Sequence, residues 1–208
     1  MNSIACKDFP DYKYDIQAVS SGIWDALYIS GCFKKGNFSF ASGQTATLKV
    51  DAEELYNYKE QLDRVIGYFA TFPCIVDADA LLYVPNGMRE FTKMLGKYLG
   101  KPVVNIQRRP NHTTKYDFEF SSPEDESLAL SANRLVICED VVTTLGSVAA
   151  VRTLLPANKI VHSVAILRRH AVNPKYQEGL IDHYLLELEV PTSSDEFDKL
   201  LEQGWPHL

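Results

Sequence analysis

The stretch RLVICEDVVTTLGS, residues 134–147, is the most informative part of this chain. Its apolar run, 135–138, predicts a buried strand, and the run ends in adjacent carboxylates, Glu139 and Asp140. In open α/β sheets ligands bind at the carboxyl ends of strands, and the amide groups of a helix N-terminus attract anions. The segment therefore predicts an anion-binding loop beside an acidic pair. The loop residues, at the start of a predicted helix, are Thr143, Thr144, Gly146 and Ser147.

The two carboxylates need a different partner from the anion. Two unit charges 4 Å apart interact by about 4 kcal/mol near a protein surface, and like charges repel by that amount. The carboxylates should therefore not contact the phosphate that the loop binds. Carboxylate oxygens accept hydrogen bonds from hydroxyls or from the water shell of a metal. A ribose 5-phosphate, with an anion at one end and vicinal hydroxyls nearby, satisfies both halves. The alternative is an ordinary strand–turn–helix junction, in which Glu139 and Asp140 are solvated and Thr144 or Ser147 only caps the helix.

Strands and helices alternate along most of the chain on both sides of this segment. Short apolar strands alternating with amphipathic helices are typical of a mainly parallel sheet covered by helices. The predicted fold class is therefore α/β, with an N-terminal helix and hood segment over 1–52 and the α/β core over 53–208. The predicted strands are 80–84, 103–106, 116–120, 135–138, 160–167 and 184–190, with two more around a turn at Ser42-Gly43; the predicted helices are 15–30, 55–69, 88–98 and 148–155, and 31–36 is predicted as a loop.

Composition limits the class of protein further. The chain has 208 residues, 46% of them hydrophobic and 23% charged, which is typical of a globular domain with a real core. The net charge of −6 argues against a nucleic-acid partner, and no apolar run reaches the ~20 residues of a membrane span. The N-terminal sequence lacks a signal-peptide pattern, so we expect a cytoplasmic protein with reduced cysteines and no membrane partner. Fingerprints of P-loop, dinucleotide-binding, zinc-protease and serine-hydrolase sites do not occur in the sequence.

Residues 139–147 resemble the 5-phosphoribosyl-1-pyrophosphate (PRPP) loop of type I phosphoribosyltransferases, most of all that of orotate phosphoribosyltransferases. Weaker similarity extends upstream. Residues 38–43 are similar to the family's hood segment, and residues 84–88 lie where the family has its pyrophosphate loop. The pair Arg108-Arg109 is similar to the Arg-Lys pair that opens the family's mobile catalytic loop.

The resemblance implies a reaction in which a nucleobase nitrogen attacks C1 of the PRPP ribose and pyrophosphate leaves. The transition state would be oxocarbenium-like, so it needs positioned reactants and cations at the leaving group, not a protein nucleophile. Mg²⁺ would bind mainly through PRPP and water. The resemblance also implies a homodimer that acts in pyrimidine biosynthesis and nucleotide metabolism, with orotate or a related acidic or pyrimidine base as acceptor. The implied catalytic residues are Glu139, Asp140, Arg108, Arg109 and Lys115, and the implied substrate-binding residues are Thr143, Thr144, Leu145, Gly146, Ser147, Asn86, Gly87, Ser42, Gly43 and Arg169.

Each group has an implied role and a plainer alternative. The acidic pair would hold the ribose hydroxyls, and the loop 143–147 would hold the 5-phosphate. The arginine pair with Lys115 would neutralise pyrophosphate, and Arg169 would contact an acidic base. In the plainer interpretation the arginine pair is a solvated surface pair, His112 and Lys115 are ordinary loop residues, and Arg169 belongs to a basic surface turn.

Three positions depart from the family's pattern. Leu145 stands where the family has glycine. Its Cβ costs roughly 1–2 kcal/mol if the backbone is left-handed, and the leucine side chain would crowd the phosphate. Ala41 replaces a lysine that reaches pyrophosphate, and Arg168 replaces an aspartate, while Arg89 could supply a compensating cation. These departures leave two alternatives open: a catalytically impaired PRPP- or nucleotide-binding regulatory protein, and an α/β interaction domain without a ligand.

Overall fold

The computed structural model describes residues 16–39, 45–85, 87–110, 117–169, 183–188 and 193–202. The strands in these residues are β1 (Phe33–Ser39), β2 (Thr45–Val50), β3 (Ala80–Tyr83), β4 (Val103–Val104), β5 (Ile106–Arg108), β6 (Phe118–Phe120), β7 (Arg134–Val142), β8 (Ile160–Arg169) and β9 (His183–Leu188). The helices are α1 (Ile16–Ile29), α2 (Lys59–Phe69), α3 (Pro73–Val76), α4 (Arg89–Leu99), α5 (Pro123–Ser131), α6 (Gly146–Arg152) and α7 (Ser194–Glu202), with a 3-10 helix at Ala52–Asn57.

A parallel sheet forms the centre of the protein. Five of the described strands belong to it, in the order β4-β3-β7-β8-β9, and every neighbouring pair is parallel. The order places β3 and β7 side by side in the middle of the sheet. The predicted α/β fold with a mainly parallel sheet is thereby confirmed.

Two apolar clusters cover the two faces of this sheet. Neighbouring strand residues point to opposite faces, and accordingly Leu81 and Val136 belong to one cluster while Leu82 and Ile137 belong to the other. The first cluster includes side chains of α1, α2, α4 and β2, and the second includes side chains of α5 and α6. Helices therefore cover both faces, as predicted. The domain boundary at residue 52 stays a prediction.

The hood is an antiparallel pair, β1 and β2, that contacts the C-terminal helix. The Phe197 ring of α7 lies 5.2 Å from Phe33 and 6.1 Å from Trp24, centroid to centroid. The predicted loop at 31–36 is wrong, because β1 already begins at Phe33, and Gly36 falls where its pairing with β2 shifts register. The predicted turn at Ser42-Gly43 lies outside the described residues.

The predicted strand over 103–106 is also wrong in part, since it divides at Asn105. The backbone and side-chain N–H groups of Asn105 donate to Asp125 Oδ1, at 2.7 and 2.9 Å, in place of a continued strand pairing. Ile106 then opens an antiparallel hairpin of β5 and β6, which is separate from the central sheet. The predicted helix over 55–69 begins only at Lys59, after the 3-10 helix.

Candidate functional site

The ends of β3 and β7 bring two of the predicted site segments together. Tyr83 pairs with Cys138, and the Val84 amide donates to the Cys138 carbonyl oxygen at 3.0 Å. The chain leaves both strands at the same edge of the sheet, since the strands are parallel. Gly87, from the predicted pyrophosphate loop, therefore lies beside the acidic pair near the carboxyl end of β7, which continues past that pair to Val142.

Asp140 is in close contact with this turn. A Cβ atom added to Gly87 would lie 2.6 Å from Asp140 Oδ2, so a hydrogen atom is all that position 87 can carry without movement. The other carboxylate oxygen, Asp140 Oδ1, accepts from the Val141 amide at 2.6 Å. The carboxylate is thus held on one side by its own strand and bounded on the other by the Gly87 backbone.

Glu139 is more deeply buried than its neighbour. Its side chain is 8% exposed, and Glu139 Oε1 accepts from the Asp140 amide at 3.2 Å. Because neighbouring strand residues project to opposite faces, the structure brings Asp140, and not Glu139, against the Gly87 turn. Both carboxylates nevertheless lie at the sheet edge where α/β proteins bind their ligands.

The segment after β7 forms a loop with a left-handed residue at its end. Leu145 has φ 61° and ψ 10°, and within the described chain it has the single positive φ outside glycine. Its side chain is 3% exposed and belongs to the same apolar cluster as Val142 and Val148. The conformation is therefore the one that favours glycine, but the side chain points into the core and not toward a ligand in the loop.

Leu145 also occupies the N-cap position of α6, and no side-chain hydrogen bond caps that helix. Thr144 and Ser147 are therefore not used as caps, in contrast to the plainer interpretation of this junction. Both residues are partly exposed, as are Thr143 and Gly146. The first amide groups of a helix have no partner within the helix, so the loop combines hydroxyls with backbone donors.

The arginine pair follows β5 on the hairpin. The Arg109 amide donates to the Asp117 carbonyl oxygen at 3.0 Å, and Arg109 Nε lies 3.6 Å from Asp117 Oδ1 and 3.4 Å from Glu119 Oε2. Arg109 thus forms partly exposed ion pairs across the hairpin, and such pairs near the surface contribute little to stability. Arg108 is exposed and forms no ion pair with the described residues.

A second cation, Arg89, lies directly after the Gly87 turn. Its guanidinium carbon is 5.8 Å from the centre of the buried Tyr83 ring, within the range of a cation–π contact. Its Nε is buried and has no hydrogen-bond partner among the described residues. The structure therefore places a half-buried cation with an unused donor at the start of α4.

Tyr56 is a site residue that sequence reasoning missed. Its hydroxyl donates to the Gly87 carbonyl oxygen at 2.8 Å and accepts from the Phe91 amide at 3.2 Å. Burial, with a smaller contribution from the Asp140 charge, raises the pKa of Tyr56 to about 12. Sequence carries no signal for this contact, because Tyr56 and Gly87 are 31 residues apart.

The described structure does not place several of the predicted site residues at the Gly87–Asp140 contact. Arg169 ends β8, where its backbone pairs with Leu188, and its side chain is outside the description. Arg168 is partly exposed on the same strand. The other predictions lie outside the described residues, namely Asn86, Ser42, Gly43, Lys115, and with them Ala41 and His112.

The donor set at this edge suits a hydrated cation better than a closed metal site. The described residues contain no group of three or more His, Cys, Asp or Glu side chains arranged to hold a metal ion. Mg²⁺ commonly binds through one or two carboxylates together with substrate phosphates and water, which the acidic pair could provide. No helix of the described chain is long and apolar enough to cross a membrane.

The fold is that of type I phosphoribosyltransferases, as the resemblance predicts. Among solved structures, the orotate phosphoribosyltransferase from Aeropyrum pernix matches with a TM-score of 0.64 and 20% identity, over 88% of this chain and 99% of that one. The APRTase from Giardia lamblia, complexed with 9-deazaadenine, matches with a TM-score of 0.59 and 13% identity, over 81% and 98%. UMP synthase from Leishmania donovani matches with a TM-score of 0.57 and 19% identity, over 81% of this chain and 36% of that one. No protein-family model matches the sequence, and no curated protein matches it.

Proposed function

We propose that the protein is a Mg²⁺-dependent phosphoribosyltransferase. It would transfer the ribose 5-phosphate group of PRPP to a nitrogen of a nucleobase, orotate or a related acidic or pyrimidine base, and release pyrophosphate. The observation that carries this proposal is the contact between Asp140 and the Gly87 turn, since it joins the acidic pair to a second loop at one sheet edge. The fold supports it, because enzymes named for orotate and for adenine share this fold.

The ribose and its 5-phosphate would be bound by the segment after β7. The carboxylates of Glu139 and Asp140 accept hydrogen bonds from the ribose hydroxyls and stabilise the positive charge that develops on the ring. The hydroxyls and amides of the loop 143–147 donate to the phosphate. The buried Leu145 side chain fixes the loop from the protein side and leaves the ligand side to backbone and small side chains.

The leaving pyrophosphate needs positive charge. Arg108 is exposed and unpaired among the described residues, so it can swing to an anion at low cost. Arg109 would first have to leave Asp117 and Glu119, whose partly exposed ion pairs at 3.6 and 3.4 Å hold it weakly. Arg89 offers a further cation beside the Gly87 turn. When bound, Mg²⁺ neutralises charge on the departing oxygens, and the protein orients the groups around them.

The regulatory alternative loses one of its grounds in this structure. It rested partly on the absence of glycine at position 145. Leu145 adopts the left-handed conformation all the same, with its side chain in the core. Leucine at this position is thus compatible with the left-handed backbone that glycine favours, and we favour the enzyme, acting as a cytoplasmic homodimer in pyrimidine biosynthesis.

The test is a turnover assay. The protein is incubated with PRPP, Mg²⁺ and each of a panel of bases, and pyrophosphate release is measured. We expect release with orotate or a related acidic base, and we expect Asp140→Asn to abolish it, because the amide keeps the shape but loses the charge. Asp63→Asn, at an exposed residue paired with Lys59 on α2, is the matched control.

Two results would contradict the proposal. Near-normal turnover by Asp140→Asn would mean that the carboxylate does not act as assigned. Calorimetry that finds no heat of binding for PRPP with Mg²⁺ at millimolar ligand would exclude both the enzyme and the regulatory alternative, and would leave an interaction domain.

A further inference from the structure

The hydroxyl of Tyr56 stands in place of a helical hydrogen bond. Gly87 and Phe91 are four residues apart, so in a continuous helix the Phe91 amide would donate directly to the Gly87 carbonyl. Here the amide donates to Tyr56 Oη at 3.2 Å, and Tyr56 Oη donates to the carbonyl oxygen at 2.8 Å. The next pair is regular, since the Thr92 amide donates to the Met88 carbonyl at 2.9 Å. The phenol is therefore inserted where α4 would otherwise gain a residue.

We propose that Tyr56 is a positioning residue that holds the Gly87 turn out of α4 and against Asp140, and so shapes the pyrophosphate end of the PRPP site. This inference rests on the proposed function. A direct amide-to-carbonyl bond spans about 2.9 Å, whereas the inserted hydroxyl keeps the two groups two hydrogen bonds apart. Removal of the hydroxyl lets Gly87 wind onto α4.

The position of Gly87 matters because the space around it is so small. A Cβ there would lie 2.6 Å from Asp140 Oδ2, so the turn and the carboxylate are already in contact. A shift of the turn changes the surface next to Asp140 and moves the start of α4, where Arg89 begins the helix. An error of about 1 Å in the placement of such groups can cost about a hundredfold in rate.

The phenol is suited to this role. Burial raises its pKa to about 12, so the hydroxyl keeps its proton at neutral pH and remains a donor to the carbonyl. Tyr56 comes from the 3-10 helix of the hood-to-core connection, not from the loop that it holds. The turn is thus fixed by a separate element of the fold.

The role predicts an effect that depends on the ligand. The Gly87 turn belongs to the pyrophosphate end of the proposed site, and the loop 143–147 belongs to the 5-phosphate end. Loss of the Tyr56 hydroxyl should therefore weaken the binding of ligands that carry pyrophosphate and leave the binding of ribose 5-phosphate unchanged. A merely structural weakening would lower the affinity for all of them alike.

The experiment is calorimetry on the full chain with three probes: PRPP with Mg²⁺, Mg²⁺-pyrophosphate, and ribose 5-phosphate. We expect Tyr56→Phe to raise the dissociation constants of the first two roughly tenfold and to change that of ribose 5-phosphate by less than about twofold. Tyr58→Phe, two residues away with a side chain that is 44% exposed, is the matched control and should bind all three like the wild type.

The outcomes separate the two proposals. If the wild type binds PRPP and Tyr56→Phe binds it equally well, or if all three ligands lose affinity to the same degree, the positioning role is wrong and the proposed function stands. If the wild type binds none of the three probes, the proposed function fails and this inference fails with it.

Discussion

Replacement of Leu145 by alanine and by glycine separates two opposing energies at one position. The side chain is 3% exposed, and truncation of a buried leucine to alanine costs about 2–5 kcal/mol. The backbone at φ 61° costs a residue with a Cβ roughly 1–2 kcal/mol. Alanine removes the apolar contacts and keeps the backbone strain, whereas glycine removes both. We therefore expect Leu145→Gly to be more stable than Leu145→Ala by about 1 kcal/mol.

Leu95 is the matched control. It is fully buried in the middle of α4, where glycine is less favourable than alanine by about 1 kcal/mol. The order of stability should therefore be reversed between the two positions. Urea unfolding of all four variants measures this directly, and the gap between the two Gly-minus-Ala differences should be about 2 kcal/mol. Since the side chain faces the core, we also expect PRPP to bind Leu145→Gly as tightly as the wild type, or more tightly.

If the glycine variant is less stable than the alanine variant at both positions, the reasoning is refuted. It would mean that the left-handed backbone at position 145 carries no strain, or that the loop changes conformation when the leucine is removed. A large loss of PRPP affinity in Leu145→Gly would show instead that the leucine side chain orders the phosphate loop, and that burial of this side chain is needed for binding.

Two further predictions concern the neighbouring turn and the pH dependence of stability. Gly87→Ala should lower turnover by roughly a hundredfold, because its Cβ would displace the Asp140 carboxylate. Gly67→Ala, on α2 with open space around the added atom, should leave turnover unchanged. Equal activity of the two variants would contradict a role for the contact between Gly87 and Asp140. The Arg134 and Asn133 amides, which donate to Asp79 Oδ2 at 2.9 and 2.8 Å, lower the pKa of Asp79 below 3.8. The stabilisation that Asp79 contributes is present above about pH 4 and is lost as the pH falls through the lowered pKa. Below pH 4 the urea midpoint of Asp79→Asn should therefore depend less on pH than that of the wild type. Identical pH profiles of the two proteins would exclude this contribution of Asp79.

Periodicity predicted the elements that pack an apolar face against the sheet. The helix over 15–30 and the strands at 80–84 and 160–167 are confirmed, because their spacing of apolar residues reflects burial. The strand predicted at 135–138 is present but continues through the acidic pair to Val142, because the backbone pairing with β8 extends beyond the apolar run. The pattern failed for α5, of which Ala129 alone is buried. That helix is stabilised instead at its N-terminus, where the Asp125 amide donates to the side chain of the N-cap residue, Ser122 Oγ, at 3.1 Å and Pro123 lies in the first turn.

The misses at the candidate site have a common physical cause. The acidic pair and the loop after β7 are contiguous in sequence, so their chemistry could be predicted from residue types alone. The contact between Gly87 and Asp140, and the bridge that Tyr56 makes, depend on segments that the fold brings together from far apart. The packing of Phe197 of α7 against Phe33 is likewise a long-range contact. The helix itself was not predicted, although Phe197, Leu200 and Leu201 have helical spacing.

The choice of base must be made away from the phosphoribosyl site. Under the proposed function, the acidic pair and the loop 143–147 would bind groups that every PRPP reaction shares, and the same fold occurs in enzymes named for orotate and for adenine. At the end of β8 this chain has two consecutive cations, Arg168 and Arg169. Neighbouring strand residues project to opposite faces, so at most one of the two arginines can face a bound base. Opposite charges 4 Å apart interact by about 4 kcal/mol near a protein surface, so under the proposed function we expect that arginine to favour an anionic base over a neutral one. Under the proposed function we therefore expect the end of β8 to contribute to the choice of base, and the segments at the ends of β3 and β7 to hold PRPP.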